Sequence, residues 1–170
     1  MSTLTSHALV GAGIDPRGPR FAASLTSVAL VLVLLLPQPQ SIALLAFQAV
    51  VFGIGAARGV QHTPYAVLFR RTVRPHLAGP GELEDPRPPR FAQAVGLGFA
   101  LVGLVALVAG ATTLGLVAVG LALVAALLNA VVGFCLGCEI YLLARRVTNR
   151  STASPTHKSA AQAASKEVSA

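Results

Sequence analysis

LGLVAVGLALVAALLNAVVGF, Leu114–Phe134, runs its whole length without an Asp, Glu, Lys or Arg. At about 1.5 Å of rise per residue, a helix of about 20 residues crosses the ~30 Å hydrocarbon core of a bilayer. A water-exposed helix of that length would instead show a charged face at helical period. Three further runs share the property: Phe21–Leu36, Ser41–Ala57 and Phe91–Ala109. The first two are short for full spans and are expected to tilt little or to borrow residues from their flanks. A single charged residue at the centre of any of them would cost about 2.5 to 3.5 kcal/mol on insertion. Hydrophobic residues make up 54 % of the chain and charged ones 11 %, and mean hydropathy is +0.71. Soluble domains carry about 25 % charged residues. The chain therefore reads as an all-α polytopic membrane protein with four transmembrane helices.

Just ahead of the first and third runs stands an internal repeat. DPRGPRFA, Asp15–Ala22, returns as DPRPPRFA, Asp85–Ala92, identical at seven of eight positions. Each copy introduces a hairpin of two spans. An even number of crossings per unit preserves direction, so the two hairpins form a parallel repeat, unlike the inverted repeats of many transporters. Pro19 and Pro89 suit a first helical turn, where no amide donor is needed. Arg20 and Arg90 are placed to snorkel to lipid phosphate as interface anchors. The second helix of each hairpin ends in GxxxG, at Gly55 and Gly59 and again at Gly133 and Gly137. Such spacing lets helices approach closely, so the two hairpins are expected to pack there, near Arg58 and His62. The same faces are where a homo-oligomer would form.

The 13 basic residues sort by segment. Arg17 and Arg20 precede the first span; Arg58, Arg70, Arg71, Arg74, Arg87 and Arg90 lie between the second and third; the remainder follow the fourth. The connections PQPQ and GATT hold none. The positive-inside rule then puts both termini and the middle loop in the cytoplasm of a multi-pass protein of the cell membrane. The net charge of +7 is accounted for by these flanking arginines, and no basic, aromatic-interleaved module points to nucleic acid. The lipid bilayer is the one partner the composition itself names. Residues Met1–Ile14 lack the basic start of a cleavable signal, so the first span is read as retained.

In PYAVLFRRTVRPH, Pro64–His76, the residues Tyr65, Leu68 and Phe69 recur at helical spacing with Arg70 and Arg71 behind them. That predicts a short interfacial helix anchored by its arginines. The expected organisation is a flexible N-terminus over 1–14, a membrane domain over 15–148 with repeats at about 15–74 and 85–148, and a disordered cytoplasmic tail over 149–170.

The chain's two cysteines stand at the end of the fourth run, in GFCLGCEIY, Gly133–Tyr141. The run is expected to continue through them, placing Cys135 and Cys138 one turn apart on one helical face at the last turn of the span. One thiolate can then attack a substrate and the other resolve the product. A CxxC is also a common metal-binding element, and two small cysteines can simply pack. Zinc would want about four ligands, for which only His62, His76 or Glu139 are at hand, so no metal is assigned. On the cytoplasmic side thiols are kept reduced, which argues against a permanent disulfide. Glu139 opposes thiolate formation at its neighbour Cys138, whereas Arg58 or Arg145 nearby would favour it; on that ground attack is given to Cys135 and resolution to Cys138.

GFCLGCEIY resembles the F-C-x-G-C-x-I-Y ending of the small four-helix membrane proteins classed as domain of unknown function 4395. RGVQHTPYAVL, Arg58–Leu68, resembles their R-G-x-x-x-S/T-P-x-A segment. The resemblance extends from about Ile14 to Leu143, and the composition looks actinobacterial. Members often carry a Cys-Pro near the start, where this chain has Asp15 and Pro16. The family's association with thioredoxin-like and rhodanese-like proteins implies thiol or sulfur handling.

There is no P-loop, GxSxG, HExxH or strand-linked GxGxxG, and no motif calls for a cofactor. Polar residues within the spans, among them Thr26, Gln48, Gln93 and Asn129, are expected to bond to helix backbone or neighbouring helices. Without an intramembrane ionisable group, an ion-coupled transporter is not indicated. Two readings stand. One is a membrane thiol protein exchanging electrons or sulfur through Cys135 and Cys138 with a cytoplasmic thioredoxin-like or sulfurtransferase partner. The other is a non-catalytic membrane scaffold whose CxxC packs or binds a metal. Whether the chain is an enzyme stays open.

Overall fold

A computed structural model describes residues 13–77, 79 and 83–152. It contains α1 (Arg17–Leu35), α2 (Gln40–Arg58), α3 (Pro64–Thr72), α4 (Arg87–Val108), α5 (Thr112–Leu127) and α6 (Leu136–Thr152). Short 3₁₀ turns flank α3, and a π turn over Leu128–Val132 lengthens α5. Four helices are long and apolar enough to cross a membrane: α1, α2, α4, and α5 with its π turn. The described residues are all-helical, with the four spans and the short middle helix that the sequence predicts. Most of the expected flexible N-terminus and disordered tail lies outside the described residues; at the tail's near edge, α6 runs on to Thr152.

Both copies of the repeat begin alike. Asp15 accepts the Arg17 amide at 3.0 Å and Asp85 the Arg87 amide at 2.9 Å, each turning the chain into its helix. Immediately before them Ile14 and Glu84 pair in an antiparallel bridge, exchanging both backbone hydrogen bonds at 2.9 and 3.0 Å. Ile14 and Glu84 are equivalent positions of the two copies. A mutual exchange between equivalent residues sets a local twofold axis between the hairpins, and their common direction aligns it with the spans.

The hairpins interleave about that axis. Helix α2 packs on α4 and α1 on α5, in addition to the contacts inside each hairpin. Leu30 and Val33 of α1, Leu45 and Phe52 of α2, Leu107 of α4 and Val119 of α5 meet in one core. The outward faces are equally apolar: Val28, Val50 and Val105 are 59 %, 61 % and 67 % exposed. Apolar surface on that scale suits lipid rather than water.

Two arginines tie the halves together at one end. The Arg90 guanidinium donates to Ala56 O at 3.3 and 3.1 Å and to Ala57 O at 2.8 Å, covering carbonyls at the end of α2 that have no helical partner. Arg20, its equivalent, donates to Val131 O at 3.3 Å, at the end of the fourth span. These side chains, read from sequence as lipid anchors, thus cap helices of the opposite repeat.

The third helix of each repeat is also matched. Helix α3 packs on α1 through Phe69 and Phe21, with ring centroids 5.6 Å apart, and α6 packs on α4 through Tyr141 and Phe91 at 5.7 Å. The middle helix is therefore more than a surface anchor, because Phe69 is buried while Leu68 faces out.

Candidate functional site

The fourth span does not continue through the cysteines. It closes in the π turn at Leu128–Val132, and Gly133 takes a left-handed conformation with φ 73°. That geometry carries little penalty only for glycine. The Gly133 amide donates to Asn129 O at 3.1 Å and the Phe134 amide to Leu128 O at 3.3 Å, so the chain turns away and restarts as α6. The cysteines therefore open a new helix instead of finishing the old one.

Cys135 is the N-cap of α6. Its carbonyl accepts the first intrahelical bond, from the Glu139 amide at 3.0 Å, and its Sγ accepts the Cys138 amide at 3.4 Å. Both are the marks of a capping side chain, which accepts from the third residue of its helix. Cys138 is that third residue. The two sulfurs are joined as a disulfide, with the Cα atoms 5.2 Å apart.

Thr63 holds the same position on α3. Its carbonyl accepts from the Val67 amide at 3.1 Å and its Oγ1 from the Ala66 amide at 3.3 Å, while the hydroxyl donates to Val60 O at 2.8 Å. Thr63 is buried, whereas Cys135 and Cys138 are half-buried.

The turn is wedged against the first repeat and against α4. A side chain on Gly133 would stand 3.6 Å from Arg20 Nε, so this arginine lies directly beside the residue that ends the span. A Cβ on Gly137 would come within 2.7 Å of Ala92 Cα, which makes the first turn of α6 backbone-close to α4. Gly55, in the last turn of α2, is likewise close to α4, where a Cβ would strike the Gln93 side chain. In each GxxxG one glycine packs against α4 of the same chain, and the other, Gly59 or Gly133, ends a helix with positive φ.

Cys135, Cys138 and Glu139 line a cleft of about 1240 Å³ that reaches down between the two halves. Arg20, Arg70 and Arg74 line it as well; Arg70 is held by the Gln61 carbonyl at 2.9 Å. Arg58, His62, Arg71 and Arg90 do not line it. The turn that carries the cysteines is thus packed against Arg20 and α4, and of the residues named with them in the sequence Glu139 lines the same cleft. Among the described residues no group of three or more His, Cys, Asp or Glu side chains comes together as a metal set.

The polar residues of the spans divide in two. Ser24 and Ser27 bond back to the carbonyls of Arg20 and Ala23. Gln48, fully buried, donates to Thr26 Oγ1 at 3.4 Å and accepts the Tyr65 hydroxyl at 2.8 Å. Burial pushes the Tyr65 phenol above its ordinary range. Gln93 and Asn129, in contrast, find no side-chain hydrogen-bond partner among the described residues, and both line the cleft. Gln61 lines it too, and its Oε1 is buried without a partner. The sequence predicts bonded amides at Gln93 and Asn129, whose rarity in such apolar runs is the available signal; Gln61, in the polar turn before α3, carries none.

Residues 14–146 match the family profile described as domain of unknown function (DUF4395), and the chain belongs to that family. No curated protein and no solved structure matches it.

Proposed function

We propose that this member of the DUF4395 family is a multi-pass thiol protein of the cell membrane, with both termini in the cytoplasm. Cys135 and Cys138 exchange electrons or sulfur there with a thioredoxin-like or rhodanese-like partner. The observation that carries the reading is the place of Cys135 at the N-cap of α6, with its sulfur on the Cys138 amide. A helix N-terminus stabilises negative charge, and CxxC cysteines placed there favour the thiolate, the reactive form. Attack is given to Cys135 on this ground, in addition to the repulsion of Glu139 from Cys138.

In the exchange, the Cys135 thiolate attacks one sulfur of the partner's disulfide. A mixed disulfide forms and the partner's other sulfur leaves as a thiolate. Cys138 then attacks Cys135 Sγ, closing the Cys135–Cys138 bond and releasing the partner as a dithiol. The pair is oxidised and the partner reduced; run backwards, the same steps oxidise the partner. The disulfide of the structure is one end state of this cycle.

Removing the resolving thiol leaves the intermediate no exit. Cys138→Ser is expected to accumulate a mixed disulfide with a thioredoxin-like protein in cells, and Cys135→Ser is not. In inverted membrane vesicles, an impermeant thiol reagent should label Cys135 of the reduced protein. Absence of an adduct with either variant returns the pair to a packing role, and labelling only from the opposite face overturns the orientation.

A further inference from the structure

The thiol reading leaves a cleft of this size and depth unused. Along α4 it is lined from Pro88 to Phe99, a descent of about 16 Å at 1.5 Å per residue. From Phe91, where the apolar run begins, to Phe99 is about 12 Å of that descent, over a third of a ~30 Å hydrocarbon core. Its lower walls come from the spans and are apolar: Val51 and Phe52 of α2, Phe99 of α4, Leu121 and Ala122 of α5. A soluble protein partner meets only the rim, where the cysteines are. The deeper part is matched to a molecule that lives in the membrane.

Its polar groups narrow the chemistry. The Gln93 and Asn129 carboxamides line the cleft with no side-chain partner among the described residues, and at the rim, in the turn before α3, the Gln61 side-chain oxygen is buried without a partner among the same residues. A carboxamide both donates and accepts. It can therefore donate to a carbonyl oxygen and, after that oxygen is reduced, accept from the hydroxyl that replaces it. The charged lining residues, among them Arg20, Arg70, Arg74 and Glu139, stand at the ends of the spans or beyond them, and the polar groups that the cleft walls add further along the spans, Thr26, Gln93 and Asn129, are uncharged, so the ligand atoms that enter between the spans are neutral. An apolar molecule with neutral oxygens that change from acceptors to donors, next to a two-electron thiol pair, is a lipid quinone.

We propose that the cleft binds a lipid quinone, which takes the electrons of the Cys135–Cys138 dithiol. The inference rests on the thiol reading above and adds the membrane-side reactant. The Cys135 thiolate adds to a ring carbon of the quinone, forming a C–S bond. The Cys138 thiolate attacks Cys135 Sγ, forming the S–S bond and breaking the C–S bond, whose electron pair stays on the ring. The ring oxygens take up the two protons the thiols gave up. One dithiol and one quinone become one disulfide and one quinol.

The experiment uses the full chain, reduced and reconstituted in quinone-free phospholipid nanodiscs, with a short-tailed ubiquinone or menaquinone analogue. Quinol formation is followed by ultraviolet absorbance and free thiols are counted. One quinol per disulfide is expected, and none with Cys135→Ser. Asn129→Leu and Ala125→Phe, one removing a cleft amide and the other filling the cleft, should each slow quinol formation at least tenfold. Alkylation of Cys135 by iodoacetamide should be unchanged in both, which separates a blocked cleft from a misfolded site. A wild-type protein that exchanges disulfides with a thioredoxin yet forms no quinol overturns the quinone site and leaves the thiol reading intact. Failure of both exchanges overturns both, and quinol formation unaffected by the cleft variants places the quinone elsewhere and overturns this site.

Discussion

Gly137→Ala tests the seam that holds the cysteine turn in place. The added methyl carbon would lie 2.7 Å from both Cα and Cβ of Ala92 and 3.4 Å from its nitrogen. Non-bonded carbons sit at about 3.5 to 4.0 Å, so the two helices must separate by about 1 Å. Ala92 belongs to the backbone of α4, fixed by its own helical hydrogen bonds, so the first turn of α6 must do the moving. Overpacking of this kind costs about 1 to 3 kcal/mol, and a backbone neighbour puts the cost in the upper part of that range. Helix propensity returns at most about 0.5 to 1 kcal/mol on exchanging glycine for alanine. A net loss of about 1 to 2 kcal/mol is expected in reversible unfolding of the detergent-solubilised protein. Because Cys138 is the next residue, alkylation of the reduced Cys138 should also quicken. Gly53→Ala and Gly98→Ala serve as controls, since a Cβ there meets nothing within 4 Å; both should be neutral or mildly stabilising. A Gly137→Ala protein as stable as wild type, with unchanged Cys138 alkylation, would refute the close contact between α4 and α6.

The paired arginines should differ in weight. Hydrogen bonds to charged groups contribute about 1.5 to 3 kcal/mol when sheltered and less when solvent screens them, and both guanidinium groups are exposed. Arg90→Gln, which loses three contacts at 3.3, 3.1 and 2.8 Å, is expected to cost about 1 to 2 kcal/mol in the same unfolding assay. Arg20→Gln loses one contact at 3.3 Å and should cost less, the reverse order counting against the capping role. Tyr65 gives a pH signature. Burial raises its phenol above 10.0, so the unfolded chain releases this proton first, and stability falls as pH rises above about 10. Tyr65→Phe leaves Gln48 Oε1 without its hydroxyl and should cost about 1 kcal/mol at neutral pH, but it removes this alkaline loss. The two stability curves should therefore converge above pH 10; parallel curves would show that Tyr65 stays exposed.

The spans were legible because nothing charged interrupts them, and a charge-free run of such length has few other uses. The parallel repeat was legible from DPRGPRFA and DPRPPRFA alone. The break before the cysteines was not: from Leu127 through Leu143 the chain stays apolar apart from Asn129 and Glu139, so hydropathy marks no boundary. Only Gly133 signals it, and a glycine in a chain with 16 of them carries little weight until its φ is known. The surroundings of the cysteines were hard to read for a related reason. Matching GxxxG pairs imply that two helix ends meet, which would bring Arg58 and His62 to Cys135. In the fold the end of α2 meets Gln93 of α4, whereas the end of the fourth span lies beside Arg20 of α1, more than a hundred residues earlier in the chain. Its acceptor depends on how the repeats interleave, for which no local pattern exists.

That interleaving gives the cysteine pair a built-in comparison. Thr63 and Cys135 occupy the same capping position on equivalent helices, and each accepts the amide three residues on, at 3.3 and 3.4 Å. The Thr63 hydroxyl is spent on structure, since it also donates to Val60 O and is buried. Cys135 makes a poorer cap, because sulfur is a weaker acceptor than a hydroxyl oxygen; both capping residues line the cleft, and on the side of Cys135 a second thiol, Cys138, lines it too. If holding the helix end were the whole requirement, threonine already meets it in the other repeat. A second sulfur at the helix's third residue adds nothing to the cap, whereas under the proposed exchange it is the resolving thiol beside the first. The twofold scaffold thus repeats its capping geometry in both halves and carries the cysteine pair in one, which is the asymmetry the proposed single exchange site requires.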